Sequence, residues 1–77
     1  MNNWREITNA ARDASGLMMK KPADGEKEFE QLLKYYPNDG MIYYQRGLAY
    51  EVLENFDAAL KDFERAEVLF PLLKFKM

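Results

Sequence analysis

The feature that most constrains the fold of this chain is a recurrence at a spacing of 34 residues. The stretch EKEFEQLLKYYP, which ends at Pro37, reappears as LKDFERAEVLFP, which ends at Pro71, and Phe29 is matched by Phe63. A period of about 20 to 50 residues is typical of chains built from stacked supersecondary units. The recurrence therefore predicts two related units, each of which contributes this segment as one element.

The apolar residues predict helices throughout the chain. Three prolines and a few turn residues divide it into four segments, and in each segment apolar residues recur at three- and four-residue steps. We expect Asp24 to cap the second helix after a turn at ADG, residues 23–25, and Asn38 or Asp39 to cap the third after a turn at NDG. Because the connections are short, successive helices should be antiparallel neighbours. The predicted fold is all-α and consists of two antiparallel helical hairpins.

Small residues stand where a plain amphipathic helix would carry large ones. Gly47 in mid-helix costs about 1 kcal/mol relative to Ala, which is explained if the third helix approaches the fourth closely. Ala59 and Ala66 would then leave room for side chains of the facing helix. The larger apolar residues predicted to fill the core are Phe29, Leu32, Leu33, Tyr36, Tyr43, Tyr50, Phe56, Leu60, Phe63 and Phe70.

The second unit resembles a known repeat. Its residues Tyr43, Gly47, Tyr50, Ala59, Phe63, Ala66 and Pro71 have the order and spacing of the tetratricopeptide repeat (TPR) signature, with Tyr43 where that family usually has Trp. Two positions depart from the pattern. Arg46 stands where the family usually has Leu, which is expected to loosen packing against the first unit, and Glu54 stands in a turn that often carries Gly. The resemblance implies a TPR-like, right-handed α-α superhelix.

The first unit is a divergent copy. Gly25 corresponds to Ala59, but Asp13 corresponds to Gly47 at the 34-residue offset. Two explanations are open: the loop KKPADG contains an insertion, or the first helix is a specialised cap, since terminal repeats are usually atypical.

The chain is expected to form a single domain over residues 1–77. We divide it into a divergent N-terminal helical hairpin at 1–37, a TPR repeat at 38–71, and the start of a further helix or a cap at 72–77. That last segment, LLKFKM, carries Leu72, Leu73 and Phe75 with little to bury against. It could pack back as a cap, join a dimer, or belong to a chain that continues.

The residue inventory argues against catalysis. The chain has no histidine and no cysteine, so the commonest general base, the usual transition-metal ligands and a thiolate nucleophile are missing. Ser15 has no imidazole partner, and the acidic stretch DGEKEFEQ lacks the spacing of a calcium-binding loop. We expect no enzyme activity, no cofactor and no metal site.

Charge and hydropathy restrict the partners. The net charge is −2 and the pI is near 5.1, which argues against nucleic acid and against anionic membranes, because both attract basic proteins. No apolar run approaches the roughly 20 residues that span a bilayer, and the polar N-terminus is not a signal peptide. The expected location is cytoplasmic.

The resemblance also implies a binding surface. In TPR proteins the first helix of each repeat lines a concave groove that holds a peptide or a partner helix. Carried onto this sequence, the partner-binding residues are Met41, Tyr44, Gln45, Leu48, Glu51 and Val52. Their spacing independently places them on one face of the third helix, and the alternative is that this face packs on the first helix or on a neighbouring repeat. TPR modules that grip a carboxylate use Lys and Asn on this surface, so a partly apolar segment fits better here.

The expected function is therefore that of a non-catalytic interaction module or scaffold that binds a protein or peptide. The alternative is a structural self-association unit, a homodimer formed through the C-terminal apolar tail, or a fragment of a longer TPR protein. Light scattering with and without residues 72–77 separates self-association from partner binding.

Overall fold

The computed structural model describes residues 4–71, and within them the chain is all-α. Four helices follow one another in this range: α1 (Trp4–Lys20), α2 (Pro22–Tyr35), α3 (Gly40–Val52) and α4 (Phe56–Leu69). The predicted fold class is confirmed. The predictions for residues 72–77, a further helix, a cap or a dimer contact, lie outside the described residues.

The 34-residue period is visible in the helix boundaries themselves. Helix α2 begins at Pro22 and α4 begins at Phe56, 34 positions later, and their last residues have the same offset. The two helices also end alike, because the N–H groups of Tyr36 and Phe70 donate to the carbonyls of Leu32 and Ala66, respectively. A single residue, Lys21, joins α1 to α2, so the proposed insertion in KKPADG is wrong.

The start of α2 differs from the prediction. Pro22 is the first residue of the helix, and Lys21 precedes it without a side-chain cap. Asp24 lies in the first turn, and ADG is helical rather than a turn. The reason is that proline already has a helical φ, and its missing N–H is one of those that have no partner at the start of a helix. Helix α3 begins as predicted, since the Asp39 carboxylate accepts a hydrogen bond from the Met41 N–H at 3.0 Å.

Packing is organised around α3. Helix α1 packs against α2 and α3, α2 also contacts α3, and within residues 4–71 α4 packs against α3 alone. The buried apolar residues of α1, α2 and α3 form one core cluster: Ile7, Ala11, Ala14, Met18, Phe29, Ile42 and Ala49. This core therefore contains no residue of α4.

Glycines lie at both close helix crossings. Gly25 is buried in α2, and a Cβ placed on it would overlap the backbone of Met18 in α1. A Cβ on Gly47 of α3 would come within 2.7 Å of the Phe63 ring in α4. The predicted close approach at Gly47 is confirmed, and Ala59 and Ala66 are buried as expected. Gly25 permits an even closer contact in the first hairpin.

Three residues assigned to the core are exposed. Tyr36 follows the last residue of α2 and is 42% exposed, because its backbone has already left the helix. Phe56 and Leu60 are 62% and 58% exposed. They lie one turn apart near the start of α4, on a face that no helix within residues 4–71 covers.

The turn between α3 and α4 contains a strained residue. Glu54 has φ 63°, the only positive φ of a non-glycine residue within residues 4–71. An L-residue in the left-handed region costs about 1–2 kcal/mol, so glycine at this position relieves strain.

We expect Glu54→Gly to stabilise the protein by about 0.5–1 kcal/mol, because part of the relieved strain is offset by the larger entropy of the unfolded chain. Thermal unfolding followed by circular dichroism should show a Tm several degrees higher, at about 4–8 °C per kcal/mol. The matched control is Glu28→Gly at an exposed site within α2, which should cost about 1 kcal/mol. Equal destabilisation by both substitutions would show that Glu54 is not strained in the left-handed region.

Candidate functional site

Two faces of helix α3 are covered by neighbouring helices. Ile42 and Ala49 are fully buried in the core cluster with residues of α1 and α2. Gly47 faces the Phe63 ring of α4. Sequence reasoning found the face of Gly47 and missed the face of Ile42 and Ala49, although their seven-residue spacing is two helical turns. The third face is left for other contacts.

Three of the six predicted partner-binding residues meet on this third face. Tyr44, Leu48 and Glu51 line one wall of a groove between α3 and α4. For these three residues the opposite wall of the groove comes from α4 and not from α1.

The other three predicted residues lie elsewhere. Met41 lines a separate depression with Ile7, Tyr36 and Phe70, at the junction of α1, the α2–α3 connection and the end of α4. Gln45 is half-buried and lines neither depression, and Val52 is 60% exposed at the end of α3.

The second wall of the groove was missed by sequence reasoning. It consists of Leu60, Phe63, Glu64 and Glu67 of α4. The Tyr44 and Phe63 rings contact each other across the groove, with centroids 5.9 Å apart and planes tilted by 49°. Leu60 and Phe63 had been assigned to the core because their spacing shows that they share a face, but spacing alone does not show what covers that face.

The groove is apolar at its base and acidic at its edges. Glu51, Glu64 and Glu67 line it, and within residues 4–71 no lysine or arginine is among its lining residues. Because carboxylates around an apolar surface attract cations and repel anions, this surface favours a ligand with positive charges beside an apolar stripe.

Arg46 joins α3 to α4 through a partly buried ion pair. Its Nε and a terminal amino group each donate to a different carboxylate oxygen of Asp62 at 2.8 Å. The side chains are only 22% and 6% exposed, respectively. The hydrogen bond to Asp62 raises the pKa of Arg46, whereas burial opposes the rise. This bidentate geometry fixes the guanidinium against α4, whereas the expectation that Arg46 loosens packing against the first unit stays a prediction.

Aromatic rings surround this ion pair. The Arg46 guanidinium lies over the rings of Tyr43 and Tyr50, 5.6 and 5.9 Å from their centroids, and that of Arg65 lies 5.9 Å from the Tyr43 centroid. Asp62 follows Ala59 by three residues and precedes Ala66 by four, so its place on the buried stripe was the signal that could have revealed the pair.

Tyr50 connects the two hairpins. Its hydroxyl donates to a carboxylate oxygen of Glu26 in α2 at 2.9 Å. Burial, followed by this hydrogen bond, raises the pKa of Tyr50 above 10.0. The contribution of neutral Tyr50 to stability is therefore complete below pH 10 and is lost as the pH rises through its folded-state pKa.

Within residues 4–71, no group of acidic side chains is arranged to hold a metal ion. None of the helices in the same range combines the length and apolarity needed to cross a bilayer. The site described is thus an apolar, acid-edged groove on a stack of helical hairpins.

A repeat hairpin with these small-residue contacts defines a helical repeat protein. The family model of the tetratricopeptide repeat matches residues 41–71, which confirms the resemblance: this part of the chain is a tetratricopeptide repeat. Such repeats are in general protein–protein interaction modules and are typically non-catalytic. No curated protein and no solved structure gives a significant match to the chain.

Proposed function

We propose that this chain is a non-catalytic interaction module that holds a peptide or helix of a partner protein on the exposed face of α3. The single observation that carries the proposal is the groove between α3 and α4, which combines the Tyr44–Phe63 ring pair with Leu48 and Leu60. Large apolar side chains that remain accessible beside polar ones are typical of protein-binding surfaces.

The partner-binding residues proposed for α3 do not contribute equally. Tyr44 and Leu48 supply the apolar contacts and Glu51 an edge charge, because all three line the groove. Met41, Gln45 and Val52 are peripheral, since they lie outside it. Met41 extends the surface toward the end of α4 that carries Phe70.

We expect the double variant Tyr44→Ala, Leu48→Asp to lose partner capture, because it removes the ring contact and places a charge in the apolar base. The measurement is photo-crosslinking in native host cells from a photoreactive residue at position 45, with adducts identified by mass spectrometry. Circular dichroism should show an unchanged helix content, with a Tm lowered by the lost contact with Phe63, worth about 0.5–1.5 kcal/mol.

The matched control is Val68→Asp, which introduces the same charge at an exposed apolar residue of α4 outside the groove. It should leave capture unchanged. Capture that survives the double variant with normal yield would show that the groove assignment is wrong. Adducts that contain only a second copy of this chain would favour the self-association alternative instead.

A further inference from the structure

The first hairpin already carries a helix on a surface that corresponds in part to the groove. At the 34-residue offset, Phe63 in the groove and Val52 beside the groove correspond to Phe29 and Met18. Both Phe29 and Met18 are fully buried in the core cluster together with Ile42 of α3. Helix α3 thus packs on the surface formed by α1 and α2.

Within residues 4–71, no helix covers the corresponding surface of the second hairpin. Val52 is 60% exposed where Met18 is fully buried, and Phe63 is half-buried where Phe29 is fully buried. Leu48 is likewise half-buried, whereas its counterpart Ala14 is buried. Because the two hairpins repeat the same backbone plan, the part of the groove formed by Leu48 and Phe63 corresponds to the surface on which α3 packs, so one more helix can pack there.

Carboxylates on this surface of α3 and α4 indicate that a helix bound there differs in charge from α3. Glu51 and Glu67 occupy the positions that Leu17 and Leu33 occupy in the first hairpin. Glu64 adds a third carboxylate. A helix placed here as α3 is placed on the first hairpin would therefore meet the carboxylate of Glu67 where Leu33 packs against the core that contains Ile42 of α3.

We infer that the ligand of this groove is a basic amphipathic α-helix of a partner protein, about as long as the 13-residue α3. Its apolar stripe contacts Leu48, Leu60 and Phe63, and its lysines or arginines lie opposite Glu51, Glu64 and Glu67. This inference rests on the proposed function, because it assigns the ligand of the same groove.

The probes for the test are two stapled helical peptides of 13 residues with the same Leu and Phe stripe. One carries lysines beside the stripe, and the other carries glutamates at the same positions. Fluorescence anisotropy measures the binding of each peptide to the full chain. We expect the lysine peptide to bind on the order of tenfold more tightly, since each of three edge ion pairs contributes a few-fold. The preference should largely vanish at about 1 M salt, where the Debye length is about 3 Å.

The variant for the test carries Glu51→Lys, Glu64→Lys and Glu67→Lys, and it should prefer the glutamate peptide. Its matched control carries Asp13→Lys, Glu28→Lys and Glu30→Lys at exposed sites of α1 and α2. The control has the same net charge and should keep the preference of the wild-type chain. If the triple groove variant fails to fold, the inference is still tested by the wild-type chain. The test is then the ratio of its affinities for the lysine and glutamate peptides and the dependence of that ratio on salt.

Two outcomes would overturn the inference. Equal binding of both peptides, abolished by Leu48→Asp, would leave the groove as a protein-binding site and remove the charge assignment. Absence of binding by either peptide would show that the groove does not accept a helix, whereas the crosslinking result from position 45 would still decide the proposed function.

Discussion

Replacing Gly25 with alanine is expected to destabilise the protein by about 3 kcal/mol or more. The added Cβ would overlap the backbone of Met18, and backbone atoms cannot rotate away as the end of a side chain can. Helices α1 and α2 must then separate, which opens the core around Met18 and Phe29. Overpacking typically costs about 1–3 kcal/mol and occasionally more. A core of this size supplies about 3–5 kcal/mol, so a large unfolded fraction is expected.

The measurement is urea unfolding followed by circular dichroism, with Gly16→Ala as the matched control. Gly16 also lies in a helix of the first hairpin, but a Cβ built on it would have no atom within 4 Å apart from its chain neighbours and the nearby backbone of its own helix. That substitution should stabilise the protein by up to about 1 kcal/mol through helix propensity. If Gly25→Ala is as stable as Gly16→Ala, then α1 and α2 do not cross as closely as described.

The second large effect is expected for Arg46→Leu, although leucine is the usual residue at this position of the repeat. The substitution leaves the Asp62 carboxylate buried without its cation and removes the guanidinium from the rings of Tyr43 and Tyr50. Breaking a buried ion pair by removing one partner costs about 3–5 kcal/mol. Because the Arg46 side chain is partly exposed, we expect a loss near the lower end of this range, about 3 kcal/mol.

The double variant Arg46→Leu, Asp62→Leu tests the cause of that loss. With both charges gone no ion remains unpaired, and apolar replacements of a buried pair are often neutral or stabilising. We expect urea unfolding to recover most of the stability lost in Arg46→Leu. The coupling energy from the double-mutant cycle should exceed about 1 kcal/mol. A double variant that is no more stable than Arg46→Leu would mean that lost packing, not the unpaired carboxylate, causes the destabilisation.

Sequence reasoning was most successful where the type and spacing of residues indicate a local role or a contact with the nearest helix. The 34-residue period predicted α2 and α4, and Gly47 predicted a close approach that the structure confirms. Asp39 was among the predicted caps, because an Asp before a helix has a specific local role. Such features depend on neighbours in the sequence or on the nearest helix, and both are encoded in spacing.

The errors have a different physical origin. A stripe of apolar residues shows which side chains share a face, but the exposure of Phe56 and Leu60 depends on whether another helix covers that face. Arg46 and Asp62 are 16 positions apart and lie on different helices. The periodicity within one helix therefore does not predict their contact. For the groove, sequence reasoning supplied the α3 wall and missed the α4 wall for the same reason.

The absence of α4 from the core cluster implies uneven cooperativity along the chain. Because α3 is the only helix within residues 4–71 that α4 contacts, α4 can open locally while the packing of Met18, Phe29 and Ile42 persists. The free energy of opening α4 therefore lies below that of global unfolding. A ligand that buries Phe63 and Leu60 would hold α4 against α3. Ligand binding would then raise the free energy of local opening of α4. The unliganded protein would therefore be proteolysed faster than the liganded protein.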